Sequence, residues 1–443
     1  MTTDRGQWSS KLGFIFAAAG SAIGLGNIWR FPYIAGENGG AAFVFTYLVC
    51  VIAIGLPVML AELALGRATQ RNPVGAIEAV RPGSVWKFVG ILGVLTGVAI
   101  LSYYAVIAGW TIGYMISSAL GKPIDFGAFV SNPVAMIFYQ ALFLLLTIAV
   151  VSGGVEGGIE RWAKILMPML LILLVILIIR SLTLDGAMKG LEFYLKPDFS
   201  KLNYNVIISA LGQAFFSLSL GMGTMMTYGS YLKKEDNAVS SGFQVAIFDT
   251  LIAFMAGLLI FPALFAMGKD PAAGPGLVFQ ILPDIFKALP LGNLFGALFF
   301  LLLAVAALTS TISLLEVPVA YFVDEKRWTR KKAVWTVGIA TFVVGIPSAL
   351  SLGASPFFSG IEIGFLNKTG FLDIMDFIWG NFSLAFGALL LSIFVGWIWG
   401  ADRALAELRQ GAGDFSWQGE GWKWLIKIIC PVVIFVILLN LFI

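Results

Sequence analysis

The chain has 443 residues, of which 59% are hydrophobic and only 12% are charged, and its mean hydropathy is +0.92. Soluble proteins carry about 25% charged residues, so this composition indicates an integral membrane protein. Histidine is absent, which excludes Ser-His or Cys-His nucleophiles, histidine metal sites and histidine proton relays. Cys50 and Cys430 lie in apolar runs and indicate neither a disulfide nor a zinc site. The formal charge of +3 is too small to indicate nucleic-acid binding.

Apolar runs long enough to cross a bilayer, about 20 residues each, recur along the whole chain. They predict an all-α membrane protein with eleven transmembrane helices near 11–35, 41–66, 88–120, 134–152, 162–181, 205–231, 241–268, 292–322, 333–350, 373–400 and 423–443. The alternating pattern of β-barrel strands is not seen. The first run has no small-residue cleavage site and is interrupted by Gly-Asn-Ile-Trp-Arg, so we do not expect a cleaved signal peptide.

Lysine and arginine predict the orientation of these helices. With the N-terminus inside the cell, most of the 28 basic residues fall in cytoplasmic segments, as the positive-inside rule requires. Eleven crossings then place the C-terminus outside. We expect a multi-pass protein of the inner (plasma) membrane, and residues 1–443 form a single transmembrane domain because the short loops leave little room for a soluble one.

Two of the apolar runs are interrupted in mid-span. Gly-x-Gly and small hydroxyl residues occur together at 20–27 in the first run and at 217–224 in the sixth. Interrupted helices at matching ranks are typical of inverted-repeat transporters, whose freed carbonyls bind cations and whose freed NH groups bind carboxylates. The predicted repeats are 11–182 and 205–400, with 422–443 as an extra helix. The alternative is that these glycines only allow the helices to pack closely. Two interruptions at matching positions make this alternative less favoured.

Ionisable residues at membrane depth are a second sign of function. Glu62, Asp249 and Glu316 lie within apolar runs, whereas Arg30 and Asp376 lie nearer helix ends, where a capping or loop-edge role is the alternative. The eighth run also carries hydroxyl residues at 309–311, for which hydrogen bonding to the preceding turn is the alternative.

Four long motifs together resemble the signature of the neurotransmitter:sodium symporter family. They are Gly-Ser-Ala-Ile-Gly-Leu-Gly-Asn-Ile-Trp-Arg-Phe-Pro-Tyr at 20–33, Glu-Asn-Gly-Gly at 37–40, Gln-Ala-Phe-Phe-Ser-Leu-Ser-Leu-Gly at 213–221 and Leu-Thr-Ser at 308–310. The resemblance extends from Trp8 to about Ala401 and is strongest to bacterial members of the LeuT type, among them eleven-helix carriers of hydrophobic amino acids. It implies a LeuT-type 5+5 inverted repeat in which helices 1 and 6 are broken.

The resemblance implies two Na⁺ ions and an amino acid substrate. The first sodium would be held by Ala22, Asn27, Ser217 and Asp249, and the second by Gly20, Ile23, Ala306, Thr309 and Ser310. Carbonyl, hydroxyl, amide and carboxylate oxygens are suitable ligands for a hard cation. The implied substrate residues are Ala22, Gly24, Gly26, Ile100, Tyr104, Phe216, Ser217, Ser219, Met222, Ser310, Ser313 and Leu314.

The resemblance also implies two gates. The outer gate pairs Arg30 with Asp376 and is braced by Gln213, and the inner gate pairs Arg5 with Asp324 near Trp8 and Tyr231. Opposite charges on different helices can form and break a pair as one helix bundle rocks against another.

This sequence departs from the family pattern in its charges. Asp249 replaces an amide that is common at the first sodium site, Ala253 replaces a residue linked to chloride dependence in some relatives, and Glu316 replaces a neutral amide. A fixed carboxylate next to sodium predicts transport that does not need chloride. The same carboxylate could take up a proton after sodium leaves, which predicts proton antiport.

The cytoplasmic start of the fifth helix carries Gly158 and Pro168. Glycine weakens helical turns and proline removes a helical hydrogen bond, so this end is predicted to unwind and admit water to the inner side. An ordinary helix start with a proline kink is an equally good interpretation.

These observations predict sodium-coupled symport of neutral hydrophobic L-amino acids, aliphatic and aromatic, by alternating access. The expected partners are the amino acid substrate, sodium ions and membrane lipid. No enzyme activity, nucleic-acid partner or obligatory protein partner is expected. A sodium-independent exchanger would lack the hydroxyls of Thr309 and Ser310. A membrane-embedded enzyme would need histidine or a second facing aspartate, and a receptor or structural protein is the least favoured alternative.

Overall fold

The computed structural model describes residues 6–122, 124–272, 277–364, 368–412 and 417–442. We label the membrane-spanning segments α1 to α11 in chain order. Their bounds are Lys11–Ala22 with Gly26–Glu37 (α1), Ala41–Thr69 (α2), Lys87–Ala119 (α3), Pro133–Ser152 (α4), Val155–Leu182 (α5), Tyr204–Ser217 with Thr224–Gly229 (α6), Ala238–Ala266 (α7), Gly292–Lys326 (α8), Arg330–Leu350 (α9), Phe371–Arg409 (α10) and Gln418–Asn440 (α11).

Nine of these helices, counted over the described ranges, are unbroken and apolar enough to cross a membrane. The two halves of α1 meet at an angle of 51° and form a tenth span. In α6 a longer break, Leu218 to Gly223, separates two helices that together occupy the sixth predicted segment. The prediction of an all-α membrane protein with breaks in the first and sixth segments is confirmed.

Local chemistry explains where the two helices break. In α1 the backbone at Ile23 is extended (φ −74°, ψ 114°), and Gly24 follows. In α6, Gly221 (φ 84°) and Gly223 (φ 77°) occupy the left-handed region, which glycine adopts without a steric penalty. A Cβ at Gly223 would lie 2.6 Å from the Pro73 ring, so the break also requires glycine for space.

Short elements connect the spans. Helices lie at Pro73–Val80, Phe126–Val130, Ala187–Leu195, Leu282–Lys287 and Pro356–Ser359, and one 3₁₀ turn lies at Phe199–Lys201. Glu362–Ile363 and Lys368–Thr369 pair as two short antiparallel strands. The Leu282–Lys287 helix lies within the loop between α7 and α8.

Small residues let the helices pack closely around the middle of the molecule. A Cβ at Gly229 of α6 would lie 2.9 Å from the Leu63 carbonyl of α2, and one at Gly109 of α3 would lie 2.7 Å from the Tyr139 backbone of α4. Close backbone approach of this kind is how helices associate where no hydrophobic driving force acts between them.

Two helix boundaries differ from the predicted ones by more than five residues. The fifth helix begins at Val155 rather than near 162, because wide π-helical turns at Val155–Glu160 accommodate the paired glycines 157 and 158. The tenth apolar segment ends near Gly400 as predicted, but helix continues beyond Gly400, whose φ is 97°, as far as Arg409.

Candidate functional site

The breaks of α1 and α6 face each other at the centre of the molecule. Ser219 donates a hydrogen bond of 3.1 Å to the Ser21 carbonyl, and Gln213 donates one of 2.8 Å to the Gly26 carbonyl. A Cβ at Gly26 would lie 2.9 Å from the Phe216 ring. The two breaks are therefore in direct contact, and their freed backbone groups share one polar region.

A buried carboxylate lies beside the α1 break. Asp249 of α7 is 0% exposed and accepts hydrogen bonds from the Asn27 amide (2.7 Å), the Ser217 hydroxyl (2.9 Å) and the Tyr47 hydroxyl (3.2 Å). Asn27 also accepts a bond of 3.1 Å from the Gly24 NH. The partners of Asp249 among the described residues are all neutral, so its charge is shared but not cancelled.

This group, which we call the Asp249 cluster (Asn27, Tyr47, Ser217 and Asp249), suits a hard cation. It gathers carboxylate, hydroxyl and amide oxygens in a place without solvent, and a buried anion without a countercharge is costly. The structure brings together three of the four residues implied for the first sodium site. Ala22 lines the neighbouring cavity instead, and Tyr47 is a member that sequence reasoning missed.

A second group of oxygens lies where α8 meets α1. The Ile23 carbonyl accepts bonds of 3.2 Å from both Thr309 and Ser310, and Thr309 also donates to the Ala306 carbonyl at 2.9 Å. Gly20 lies close enough that a Cβ there would be 3.2 Å from Thr309 Cβ. All five residues implied for the second sodium site thus lie together, and we call them the α8 cluster.

A small cavity of about 30 Å³ lies between the two clusters. Ten of the twelve residues implied for the substrate line it, and Ser21 and Leu384 join them. The other two residues do not line the cavity. Ser217 belongs to the Asp249 cluster, and Ser313 accepts a 2.7 Å hydrogen bond from the Ser21 hydroxyl. Leu384 of α10 was missed because nothing in its apolar surroundings distinguishes it.

Polar groups in the cavity wall could orient a ligand. The Tyr104 hydroxyl accepts a 2.9 Å bond from the Leu25 NH at the break of α1. A Cβ at Gly24 would lie 2.7 Å from that hydroxyl and closer still to Ser310 Oγ. Only glycine fits there without displacing both side chains.

The outer gate contains one more residue than the sequence implied. Arg30 donates a 3.0 Å bond to Asn381, which in turn donates to Asp376 at 3.1 Å, so the amide stands between the two charges. Tyr103 donates to Asp376 at 3.0 Å, and the Arg30 guanidinium lies 4.3 Å from the centre of the Phe216 ring. The predicted direct pair of Arg30 and Asp376 is thus bridged.

On the inner side, Arg5 lies outside the described residues. Trp8 donates a 3.0 Å bond to the Tyr228 carbonyl and packs edge-on against Tyr231. Asp324 accepts two 3.0 Å bonds from Asn72, from its backbone NH and its side-chain amide. The predicted inner-gate residues Trp8 and Tyr231 therefore lie together, while Asp324 holds the start of the Pro73–Val80 helix.

The two glutamates that lie within predicted apolar runs, Glu62 and Glu316, have identifiable partners. Glu62 of α2 accepts bonds from the NH groups of Gly221 (2.8 Å) and Met226 (3.3 Å), so it caps the second half of α6. Glu316 of α8 forms a bidentate salt bridge with Arg330, with distances of 3.1 and 2.5 Å, and accepts a 2.6 Å bond from Tyr231.

The start of α5 holds the chain that precedes α1. Glu160 accepts bonds from the Ser9 NH (2.7 Å) and from the Ser9 (2.6 Å) and Ser10 (2.9 Å) hydroxyls, and it pairs with Lys164 at 2.7 Å. Gly158 packs against the backbone of Gly153, which leaves no room for a side chain. Close packing is thus a further reason for that glycine, besides the predicted unwinding.

Comparison with known proteins agrees with this geometry. The profile of the sodium:neurotransmitter symporter family matches residues 5–126 and 129–443. YhdH of Bacillus subtilis (strain 168), described as an uncharacterized sodium-dependent transporter, is 41% identical over 98% of this chain and 97% of its own. A sodium-dependent transporter of Haemophilus influenzae is 38% identical over 100% of both chains.

A solved structure is similar over the same length. The crystal structure of MhsT in complex with L-phenylalanine superposes with a TM-score of 0.90 at 46% identity, covering 99% of this chain and 100% of that one. This similarity identifies the fold as LeuT-type, with its inverted repeat. The chain belongs to the neurotransmitter:sodium symporter family, whose members are sodium-dependent membrane transporters and not enzymes.

Proposed function

We propose that the protein couples entry of Na⁺ to uptake of neutral hydrophobic L-amino acids, both aliphatic and aromatic. The observation that carries this proposal is the cavity between the Asp249 and α8 clusters. Its wall combines the α1 break and the Tyr104 hydroxyl at one end with Ile100, Met222 and Leu314 elsewhere. The L-phenylalanine bound to MhsT supports the same substrate class.

The polar end of the cavity suits a substrate that brings its own carboxylate. An amine without a carboxylate would need an anionic side chain near Gly24, and the space there is taken by Ser310 and Tyr104. At the apolar end, unbranched Met222 can adopt several rotamers and repack around side chains of different size. The small cavity volume means that entry of a substrate must move such side chains.

Two sodium ions are proposed, one at the Asp249 cluster with Ala22 and one at the α8 cluster. The substrate carboxylate would complete the coordination of the first ion, so that each ligand binds better when the other is present. The carboxylate of Asp249 would supply the negative charge at this site, which makes transport independent of chloride. After sodium leaves, a proton on Asp249 would remove the cost of a buried charge, which gives proton antiport.

Alternating access would follow from movement of one half of the repeat, residues 11–182 and 205–400, against the other around this site. Arg30, Asn381 and Asp376 would close the outer side, and Trp8 and Tyr231 with the Arg5–Asp324 pair the inner side. Unwinding of α5 between Gly158 and Pro168 would open the inner water path. We place the protein in the inner membrane, with its N-terminus on the cytoplasmic side and its C-terminus on the outer side.

Uptake into proteoliposomes tests the proposal. Radiolabelled leucine, phenylalanine and tryptophan should each accumulate with an inward sodium gradient and compete with one another. Replacing sodium by potassium should abolish accumulation, whereas replacing chloride by gluconate should leave it unchanged. Accumulation without sodium would contradict the coupling, selection of one small amino acid such as glycine would contradict the substrate class, and loss in gluconate would contradict the role of Asp249.

A further inference from the structure

A cleft of about 350 Å³ lies where α10 and α11 diverge, away from the transport site. The two helices touch at Gly396, where a Cβ would lie 3.0 Å from the Cα of Lys427. Trp397 and Trp424 flank the opening and are 58% and 65% exposed. The remaining lining residues are Ala401, Asp402, Glu420, Lys423, Lys427 and Ile428.

The position of this cleft is that of a membrane–water boundary. It lies at the end of the apolar part of α10 and at the start of α11, on the side of the polar helix Ala401–Arg409. Exposed tryptophans with lysines beside them are characteristic of the headgroup level of a bilayer, where the ring is half in lipid and half in water. At this depth the cleft would be next to lipid headgroups, so the ligand that we expect there is a phospholipid.

The charges in the cleft are arranged as two poles. At one pole, Lys423 pairs with both Asp402 (2.6 Å) and Glu420 (2.7 Å), which leaves one negative charge in excess. At the other pole, the Lys427 ammonium lies 4.6 Å from the centre of the Trp397 ring and has no carboxylate within salt-bridge distance in the described part of the chain. Glu420 has one further basic contact, Arg409 at 3.5 Å, whose side chain is 45% exposed and does not line the cleft.

We propose that this cleft binds the headgroup of a phosphatidylethanolamine. The phosphate would lie on Lys427, and the primary ammonium would donate hydrogen bonds to Asp402 and Glu420. Asp402 is suited to this because its side chain is 87% exposed and only one of its oxygens bonds to Lys423. A quaternary ammonium has no hydrogen to donate, so the cleft should discriminate against phosphatidylcholine. A purely anionic lipid brings no ammonium to the pole formed by Asp402 and Glu420, so it should also bind less well.

Lipid retention by the full chain tests this proposal. The protein is placed in nanodiscs containing equal amounts of phosphatidylethanolamine, phosphatidylcholine and phosphatidylglycerol with identical acyl chains, and bound lipid is measured by native mass spectrometry after release. Wild type should retain phosphatidylethanolamine about fivefold better than either competitor, the effect of roughly one favourable charge contact at a membrane surface.

Variants distinguish the two poles. Lys427→Gln should lower retention of all three lipids, whereas Asp402→Asn combined with Glu420→Gln should remove the preference over phosphatidylcholine while phosphate binding persists. Lys332→Gln is the matched control, because Lys332 also lies over a tryptophan, 4.5 Å from the Trp328 ring, but outside the cleft. Melting temperatures in one detergent verify that each variant folds.

Two outcomes would overturn the proposal. Equal retention of the three lipids would show that the cleft holds only bulk lipid, and preference for phosphatidylglycerol would show that it is an anion site. Because binding is measured without substrate or sodium, neither outcome bears on the transport proposal.

Discussion

Asp249 and Glu316 are both carboxylates with 0% exposure in the middle of the chain's helices, but they are compensated in different ways. Glu316 has a guanidinium partner, Arg330, in bidentate contact, whereas Asp249 has only the neutral donors Asn27, Ser217 and Tyr47. Neutral donors stabilise a charge but leave it in place. The paired carboxylate joins two helices through a salt bridge, whereas the carboxylate without a charged partner is the one that suits the proposed sodium site.

The largest effect is expected from removing the partner of Glu316. Arg330→Met leaves a buried, uncompensated carboxylate and should lower the free energy of unfolding by about 3–5 kcal/mol. Adding Glu316→Leu should restore most of the loss, since an apolar pair of similar volume needs no compensation. Thermal unfolding in detergent measures both, with exposed Lys332→Met as control; a stable single variant would contradict the structural role.

Removing the charge of Asp249 should affect ion binding more than stability. Asp249→Asn is expected to weaken apparent sodium affinity about 100-fold, equivalent to about 3 kcal/mol. Wild-type uptake at fixed, subsaturating sodium should fall as external pH is lowered, because protons compete for the carboxylate, and the variant should lose this dependence. Sodium titrations of uptake at several pH values test both effects, and a variant that keeps the wild-type pH profile would remove the proton role.

Glu62 is the intermediate case, because its partners are the backbone NH groups of Gly221 and Met226. Glu62→Gln keeps one acceptor oxygen and should cost about 1–2 kcal/mol of stability, with little change in the pH dependence of uptake. The same thermal and uptake measurements apply. A pH dependence that vanishes in this variant would assign proton uptake to Glu62 rather than to Asp249.

The neutral α8 cluster offers a contrast within ion binding itself. Thr309→Val keeps the shape of the side chain but replaces its hydroxyl by a methyl group. Sodium affinity should weaken about fivefold, as expected for the loss of about 1 kcal/mol of binding free energy. The pH profile should remain that of wild type, because no titratable group is changed. An altered profile in sodium-titrated uptake would show that the two clusters do not act separately.

The smallest equilibrium effect is expected from a change remote from both carboxylates. Pro168→Ala restores a helical hydrogen bond in α5 and should slow sodium release severalfold while leaving substrate affinity nearly unchanged. Stopped-flow measurement of release and equilibrium binding separate the two quantities. Unchanged kinetics would leave the proline as an ordinary kink.

Much of the fold was predictable because membrane spans have a simple physical requirement. Long apolar runs located the helices, and Gly-x-Gly with hydroxyl residues located both breaks. The start of α5 was misplaced because glycines 157 and 158 read as a loop, whereas wide helical turns include them. Glu160 was missed for a different reason. Its role depends on a contact with Ser9, which spacing along the chain does not reveal.

The sequence predicted which residues belong to the candidate site, but it did not predict a residue that lies between two members of a predicted pair. The family resemblance brought Asp249, Asn27 and Ser217 into one predicted site, and these side chains are in contact. They gave no sign that Asn381 stands between Arg30 and Asp376. A bridging amide depends on the depth and rotation of α10, which apolar periodicity does not encode.

Ser219 shows how finely the two halves of the site are balanced. It is a non-glycine residue in the left-handed region (φ 54°), which costs about 1 kcal/mol or more. Its bond to the Ser21 carbonyl offsets a similar amount, about 1 kcal/mol. This single contact between α1 and α6 is therefore nearly neutral in free energy, and it does not by itself hold the two breaks in the arrangement seen here. Under the proposed alternating access, the populations of the outward-facing and inward-facing states depend on how differently they bind sodium and substrate, and each factor of ten in that affinity ratio corresponds to about 1.4 kcal/mol.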